Sequence, residues 1–507
     1  MRTFYDTVQA RHKTPINIRG FTSCVSHQKR FDPVLLVISG AIFSLLILMA
    51  YLAFSAISMI AIGLGAAVVI YQMITLQRNR VKLNSTRQFP SLFFIFLLAS
   101  PIVLGIIVGL DAYSGQNSIS KAILLWGLTM TFWSTLLFIP LALYSKRREM
   151  SIPTLVSFPK ISIIVPAYNE EKVIERTIQA IIDTKYQDKE IILVDDGSKD
   201  KTFEIMSKYK KQAKVLQKTN GGKASAINFG LAYSTGEIIA IVDADTIIGH
   251  ESLIHLAEGF SADKNIAAVA GNIKVRNRKN WLTWCQALEY VAGIQIARRA
   301  LDVFGAISVV PGALGSFRKN VLEEIGSYHK DTLAEDFDLT LKILKTKMFI
   351  AGSTSATAYT EAPESLKSLY KQRKRWYGGN LQVFSRHSDA LTNPRFGVLQ
   401  KFVFPYMLFS SCVMPFVSFI TTGSAIYAGI FGDGLFVLEM FAIFSALQCL
   451  QVALAVRLDN EDPKLIPYGV FLVVGFKQIL DILLVSAIFG YLRKKEQTWT
   501  SADRIGI

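Results

Sequence analysis

The chain has 507 residues, of which 51% are hydrophobic and only 19% charged, and its mean hydropathy is +0.34. Soluble domains carry about 25% charged residues, so part of this chain lacks the polar cover that water demands and belongs in lipid. Its 33 Phe exclude a disordered polymer and its four Cys exclude a disulfide framework, while the length allows two or three domains.

In chain order, residues 1–32 form a polar leader with Arg2, Arg11, Lys13, Arg19, Lys29 and Arg30. Val34–Leu76 is then nearly free of charge and long enough for two spans of about 20 residues each, too long for a cleavable signal. Phe89–Leu110 and Ala122–Leu143 are two further candidates, so residues 33–145 read as about four transmembrane helices. The loop carrying Arg78, Arg80, Lys82 and Arg87 and the stretch Lys146–Arg148 are basic, whereas Asp111–Ser120 has neither Lys nor Arg. That asymmetry puts the leader and everything from Lys146 onward on the cytoplasmic side.

Residues 158–386 have an ordinary composition. Ile161–Val165 reads as a strand ended by Pro166, and Glu170–Ile182 as a helix with acids in its first turn. Ile191–Val194 is a second strand running into Asp195-Asp196-Gly197-Ser198, and Ile238–Val242 a third running into Asp243-Ala244-Asp245. Strands alternating with helices imply a mostly parallel sheet covered on both faces, with ligands beyond the carboxyl ends of the strands. Asp243 and Asp245, one residue apart in an extended segment, can both reach a hard cation such as Mg²⁺ or Mn²⁺; alone, the pair also reads as a solvated turn. Asn220-Gly221-Gly222-Lys223 is either a flexible turn or a loop whose amides and lysine approach a phosphate.

Farther on, Ala334-Glu335-Asp336 opens an amphipathic stretch, Phe337–Leu344, and Gln372–Trp376 sets three cations beside an indole, which also suits a membrane-interface anchor. Trp281–Leu301 has apolar residues at helical spacing and reads as a packing or membrane-surface segment. Residues 397–492 hold three more apolar stretches: Phe402–Thr422, Leu435–Val456 and Leu465–Leu492. Three spans would put Arg493, Lys494 and Lys495 of the tail 493–507 outside, against the charge rule, so either Phe402–Gly432 or Leu465–Leu492 is not a simple span, or the tail is an exception.

The ordered set Ile164–Glu170, Val194–Ser198, Gly222-Lys223-Ala224, Asp243-Ala244-Asp245, Glu335-Asp336 and Gln372-x-x-Arg375-Trp376 resembles the inverting family 2 glycosyltransferases, in particular the membrane-embedded processive synthases. Among these the chain looks most like poly-β-N-acetylglucosamine synthases, with hyaluronan, chitin-oligosaccharide and cellulose synthases further off. The resemblance covers about Ile161–Asn380 and implies an α-helical membrane protein of the cell membrane with an inserted cytoplasmic α/β domain of GT-A-like fold. One departure is Ala334, where such synthases usually carry Thr.

Residue by residue, the resemblance implies that Asp195, Asp196 and Tyr168 meet the nucleoside of a UDP-sugar, foremost UDP-N-acetylglucosamine. Asp245 and Asp243 would hold Mg²⁺ or Mn²⁺ on the diphosphate, Lys223 and Arg375 would neutralise the leaving UDP, and Asp336 would be the general base. Gln372, Trp376 and Phe317 would line the acceptor site. The expected activity is processive β-transfer to a growing polysaccharide that crosses the membrane, with Gln448, Gln451, Lys477, Gln478 and Asp481 as candidate lining of the passage; Lys477 and Asp481, four apart, can equally pair with each other. The rival reading is transfer of one sugar to a membrane lipid, and a more distant one is a non-catalytic transporter or scaffold. The net charge of +16 has no basic binding module behind it in the middle domain, so no nucleic-acid partner is expected. An accessory subunit or a homo-oligomer is left open.

Overall fold

Strands β3 (Ile161–Ala167), β4 (Lys189–Asp195) and β6 (Ile238–Val242) are the three β-branched runs anticipated from sequence. The computed structural model of the chain describes residues 24–25, 32–80, 91–116, 118–152, 154–155 and 158–493. The leader's Arg2, Arg11, Lys13, Arg19, Lys29 and Arg30, the loop residues Lys82 and Arg87, and Lys494 and Lys495 lie outside these. β1 (Cys24–Val25) and β2 (Thr154–Leu155) form a separate antiparallel pair.

The main sheet adds β5 (Lys214–Gln217), β7 (Ile247–Ile248), β8 (Ile266–Val275), β9 (Leu314–Arg318) and β10 (Phe349–Thr360). Its order is β5-β4-β3-β6-β9-β8-β10-β7. The pairs from β5 through β6 are parallel, as is β8 with β10. β9 is inserted antiparallel between β6 and β8, and β7 is antiparallel to β10, so the sheet is mixed. Side chains of successive strand residues leave opposite faces. Ile164, Ile192, Val194 and Ile241 therefore enter one core, and Ile163, Val165, Leu193 and Val242 another, on the far side of the sheet.

Before the sheet come helices α1 (Pro33–Ala53), α2 (Ala56–Arg80), α3 (Ser91–Gln116) and α4 (Ile119–Met150). After it come α8 (Met414–Phe431), α9 (Gly434–Asp459) and α10 (Phe476–Leu492), while α5 (Lys223–Ala232), α6 (Glu335–Lys345) and α7 (Leu366–Arg386) belong to the middle domain. Among the described residues, four helices are long and apolar enough to cross a membrane: Pro33–Tyr51 within α1, then α4, α8 and α9. Shorter apolar stretches are Ala56–Val68 in α2 and Leu98–Ser114 in α3.

Two of the expected C-terminal spans divide. Phe402–Thr422 is not one helix: it is broken at Val413, between Phe404–Cys412 and α8, with Pro405 and Pro415 at the two helix starts. Proline has no N–H to give an earlier carbonyl, so it starts helices rather than continuing them. Phe402 and Phe404 turn into the core of the middle domain, edge-on to Phe304 at 5.5 Å and Phe384 at 5.6 Å. Leu465–Leu492 becomes a 3₁₀ segment, Pro463–Leu472, bent by 57° from α10, with Gly475 at φ +97° in the break.

Charged junctions lock the bundle to the sheet. At the end of α4, Ser145 donates to Asp302 at 2.8 Å, Arg148 pairs with the same carboxylate, and Glu149 accepts from the Thr354 N–H at 2.7 Å and from Arg299 at 3.1 Å. At the end of α9, Asp459 accepts from Asn272 on β8 at 3.0 Å, and Glu461 pairs with Arg278 at 2.8 Å. Asp32, the cap of α1, pairs with Arg457 of α9, while Lys121 near the start of α4 meets Asp433 before α9 at 3.1 Å. The start of α1 and the ends of α4 and α9 thus share the level of the middle domain, and the starts of α4 and α9 share the opposite one.

Candidate active site

The loops beyond β3, β4 and β6 converge because those strands are parallel neighbours in register. After β3, Tyr168 is half-buried, and Asn169 at φ +55° ties the loop to the next one, accepting from the Lys199 N–H at 2.9 Å. After β4, Asp195 is fully buried and accepts from Gln217 Nε2 at 3.1 Å and the Ser198 N–H at 3.3 Å. Asp196 accepts from Lys218 Nζ at 2.7 Å and from the Gly221 and Gly222 N–H groups at 3.1 and 2.7 Å.

The centre of the site is Lys223, the first residue of α5. Its ammonium stands 2.5 Å from Asp243, beyond β6, and 3.1 Å from Glu335 at the start of α6. Burial alone would lower its pKa, but Asp243 and then Glu335 outweigh that and hold it above the usual lysine value. The chain at Gly312 passes so close that a Cβ there would lie 2.7 Å from Lys223 Nζ. The Gly312 N–H donates to Asp336 Oδ2 at 3.3 Å, and the Phe337 N–H to Oδ1 at 2.8 Å. Burial and the neighbouring Glu335 charge push the Asp336 carboxyl up to about 6, against the opposing pull of Lys223 and these two amides.

Asp245 is buried beside Asp243, with hydroxyls of Thr246 and Thr360 at a loose 3.4 Å. Among the described residues no group of three His, Cys, Asp or Glu side chains is placed to hold a cation by itself. Two carboxylates one residue apart suit Mg²⁺ or Mn²⁺ nonetheless, since such ions usually take one or two carboxylates and complete their shell with substrate phosphates and water.

Helix α7 carries Gln372, Arg375 and Trp376. Gln372 is buried and its Oε1 has no hydrogen-bond partner; Arg375 and Trp376 are half-buried. The helix reaches the carboxylates through Gly379, where a Cβ would stand 2.9 Å from the Cβ of Ala334, the residue just before Glu335. Ala at 334 thus forms part of a close helix contact. Phe317 is a correction. β9 runs antiparallel to β6, so Leu314 lies beside Val242 at the Asp243 end, while Phe317 lies opposite Ile239, farther from it. Its ring is 2% exposed and packs edge-on to Tyr328 at 6.3 Å, in the core beneath the site rather than on an acceptor wall.

Sequence reasoning missed Lys218, Gly312, and the pair Arg373–Glu289. Arg373 is 0% exposed, binds Glu289 at 2.6 Å and lies over the Trp376 ring at 4.3 Å. A single acid inside the apolar stretch Trp281–Leu301 was the available signal, because a largely buried carboxylate requires a partner. Of the polar residues expected along a membrane passage, Lys477 pairs with Asp481 at 2.6 Å, Gln451 donates to Thr135 at 2.7 Å, and Gln478 donates to the Val473 carbonyl at 2.9 Å.

Residues 162–326 match the model of the family "Glycosyl transferase family 2". The poly-beta-1,6-N-acetyl-D-glucosamine synthase of Staphylococcus epidermidis is 27% identical over 361 residues, which are 68% of this chain and 87% of that protein. The synthase of the same name from Staphylococcus aureus strain COL is 31% identical over 229 residues, 45% of this chain and 56% of that one. Among solved structures, the mannosyltransferase PcManGT from Pyrobaculum calidifontis, in complex with GDP-Man and Mn²⁺, is 20% identical with TM-score 0.50, covering 74% of this chain and all of that one, a likeness of fold. The motif loops at the ends of β3, β4 and β6 lie within the stretch matched by that family model, on a sheet of GT-A-like fold, so residues 162–326 carry a family 2 glycosyl transferase domain.

Proposed function

We propose that the protein is a processive, inverting β-glycosyltransferase that elongates a polysaccharide from a UDP-sugar, UDP-N-acetylglucosamine first among them, and passes the product through its own membrane helices. The observation that carries this reading is the Lys223 bridge. One ammonium links Asp243 to Glu335, next to the raised carboxyl of Asp336, so charge clamp and base occupy one cluster. The two synthases of staphylococci support the sugar and the polymer.

In this reading Asp195 and Tyr168 meet the nucleoside, and Lys223 with Arg375 neutralises the diphosphate as the glycosidic bond to it breaks. Asp243 and Asp245 would hold Mg²⁺ or Mn²⁺, which when bound adds positive charge at the leaving oxygens. Asp336 takes the proton of the acceptor hydroxyl as that oxygen attacks the anomeric carbon, and one direct displacement converts an α-linked donor to a β-linked product. Gln372 and Trp376 place the acceptor in line, Arg373 occupying one face of the indole and leaving the other to a sugar ring. Residues 158–386 are the catalytic domain, between membrane helices in 33–145 and 397–492. Its placement in the cytoplasm is supported by the basic loops and by the shared level of the ends of α4 and α9.

The test is to give the full-length chain in lipid nanodiscs a panel of labelled UDP-sugars with Mg²⁺ or Mn²⁺. A long β-linked polymer from UDP-N-acetylglucosamine is expected. A product of one sugar on a lipid would overturn processivity, and absence of transfer from any UDP-sugar would overturn the donor.

A further inference from the structure

Asp338 lies two residues beyond Asp336 on α6, and its side chain is fully buried. An acid in the first turn of a helix ordinarily faces water, and burying one is costly unless it is paired. Here the partners come from outside the helix. His387 Nε2 donates to Oδ1 at 3.0 Å, Arg386 Nη1 reaches the same oxygen at 3.3 Å, and His329 Nδ1 stands 2.8 Å from Oδ2. The other ring nitrogen of His387 is buried and has no hydrogen-bond partner among the described residues, so Asp338 alone orients that ring. Burial pushes the Asp338 carboxyl up, but His387, His329 and Arg386 outweigh that and hold it below the usual carboxylate range.

Arg386 is the last residue of α7 and His387 is its cap, while His329 belongs to the segment 325–334 that leads into α6. Arg386 also binds Asp331 of that segment at 2.7 Å, and Lys345, at the end of α6, meets Asp389 beyond α7 at 2.6 Å. These ties act on one particular face of α7. Gln372, Trp376, Gly379, Val383 and Arg386 recur at steps of four and three, so they share a face of the helix. Gly379 brings that face against Ala334, and Arg386 brings it against Asp338. The helix is thus held at two points about 10 Å apart along its axis, against residues on either side of Asp336. Neither its rotation nor its slide is free, and the direction in which Gln372 and Trp376 leave α7 is set relative to Asp336.

We infer that Asp338 is a positioning residue for the acceptor: through Arg386 and His387 it fixes the face of α7 that carries Gln372 and Trp376 against the base Asp336. Being fully buried, it meets no ligand itself. This rests on the acceptor and base assignments proposed above, and adds that their alignment is set at the far end of α7, away from the diphosphate clamp.

The experiment uses the full-length chain in nanodiscs with UDP-N-acetylglucosamine labelled in the sugar, and follows UDP released, sugar transferred and free sugar. When the acceptor hydroxyl is out of line, water takes its place at the anomeric carbon, and free N-acetylglucosamine leaves with UDP. Asp338→Asn keeps the shape and removes the charge; His387→Ala removes the donor from the α7 side and leaves α6 intact. Each should lower kcat for transfer roughly ten- to a hundredfold and raise the share of donor lost as free sugar, with the inhibition constant of UDP unchanged. His387→Gln, whose amide can donate where Nε2 does, should recover most of the transfer. Asp338→Asn with His387→Ala should be little worse than either alone, because both break one contact. A UDP inhibition constant that rises in step with the loss of transfer would overturn the inference in favour of a general loosening of the domain. A fall in transfer with no added free sugar would overturn it as well, and so would unchanged transfer in both single variants. Absence of transfer by the wild-type chain would instead bring down the donor and acceptor reading, and this inference with it.

Discussion

Arg373 stacks its guanidinium on the Trp376 ring at 4.3 Å while pairing with Glu289 at 2.6 Å, so the indole rests on an ion pair whose cation is buried and whose carboxylate is 18% exposed. Glu289 begins a π-helical turn, Glu289–Gln295, and burial pushes its carboxyl up against the opposing pull of Arg373. Removing one partner strands the other charge in the core. Arg373→Met should therefore destabilise the protein by roughly 3–5 kcal/mol, whereas Arg373→Met with Glu289→Leu should recover most of it. Chemical unfolding in detergent checks this; a double variant as unstable as the single one would contradict the pairing.

For Asp336, whose carboxyl is raised to about 6, the proposed role as base requires the ionised form, so kcat/KM should rise with pH through about 6 and level off above it. A folded-state value above the unfolded one means the folded chain binds the extra proton, so this group's contribution to stability falls as pH rises from about 4 to about 6. Asp336→Asn should thus cut transfer by roughly 10²–10⁴-fold while slightly raising the melting temperature at neutral pH and sparing donor binding. A pH–rate profile, thermal unfolding and donor titration together test it; turnover retained in the Asn variant would refute the base.

Chelation of divalent ions should abolish transfer, and Mg²⁺ or Mn²⁺ should restore it. Asp245→Asn should raise the metal concentration needed for half-maximal rate, because a neutral amide is a weaker ligand for a hard cation than a carboxylate. Full activity in excess EDTA would exclude the two aspartates as a cation site.

Lys477 and Asp481 lie one turn apart on α10 with both carboxylate oxygens 2.6 Å from the ammonium. Asp481→Ala should impair stability and export together by leaving Lys477 unpaired in an apolar helix. Lys477→Met with Asp481→Leu should restore both, measured as polymer outside sealed vesicles. Restored folding without export would show that the pair lines the passage.

The parallel half of the sheet was legible because β3, β4 and β6 are continuous runs of Ile and Val ending in turn residues. β8, with Ala and Gly through its centre, and β10, rich in Ser, Thr and Ala, carry no such periodic signal. The antiparallel insertion of β9 is a pairing choice made 70 residues or more from β6 in sequence, and it is what moved Phe317 off the acceptor side. The motif residues themselves were readable, since each is a short polar cluster at a strand or helix end. What supports them was not: Glu289 and Arg373 are 84 residues apart, and Gly379 meets Ala334 only because two helices happen to cross there.

The ring stack that runs from Phe337 through Phe384 to Phe404 makes the helix bearing Asp336 and the entry to the C-terminal bundle parts of one core. A gene fragment ending at Arg386 would translate every motif residue and still strip Phe384 of its Phe404 partner. In this chain the catalytic unit has no seam at which it can be cut free: solubilising the enzyme means extracting its lipid-facing helices along with it, and swapping its catalytic module for a relative's means transplanting the Phe402–Cys412 segment too.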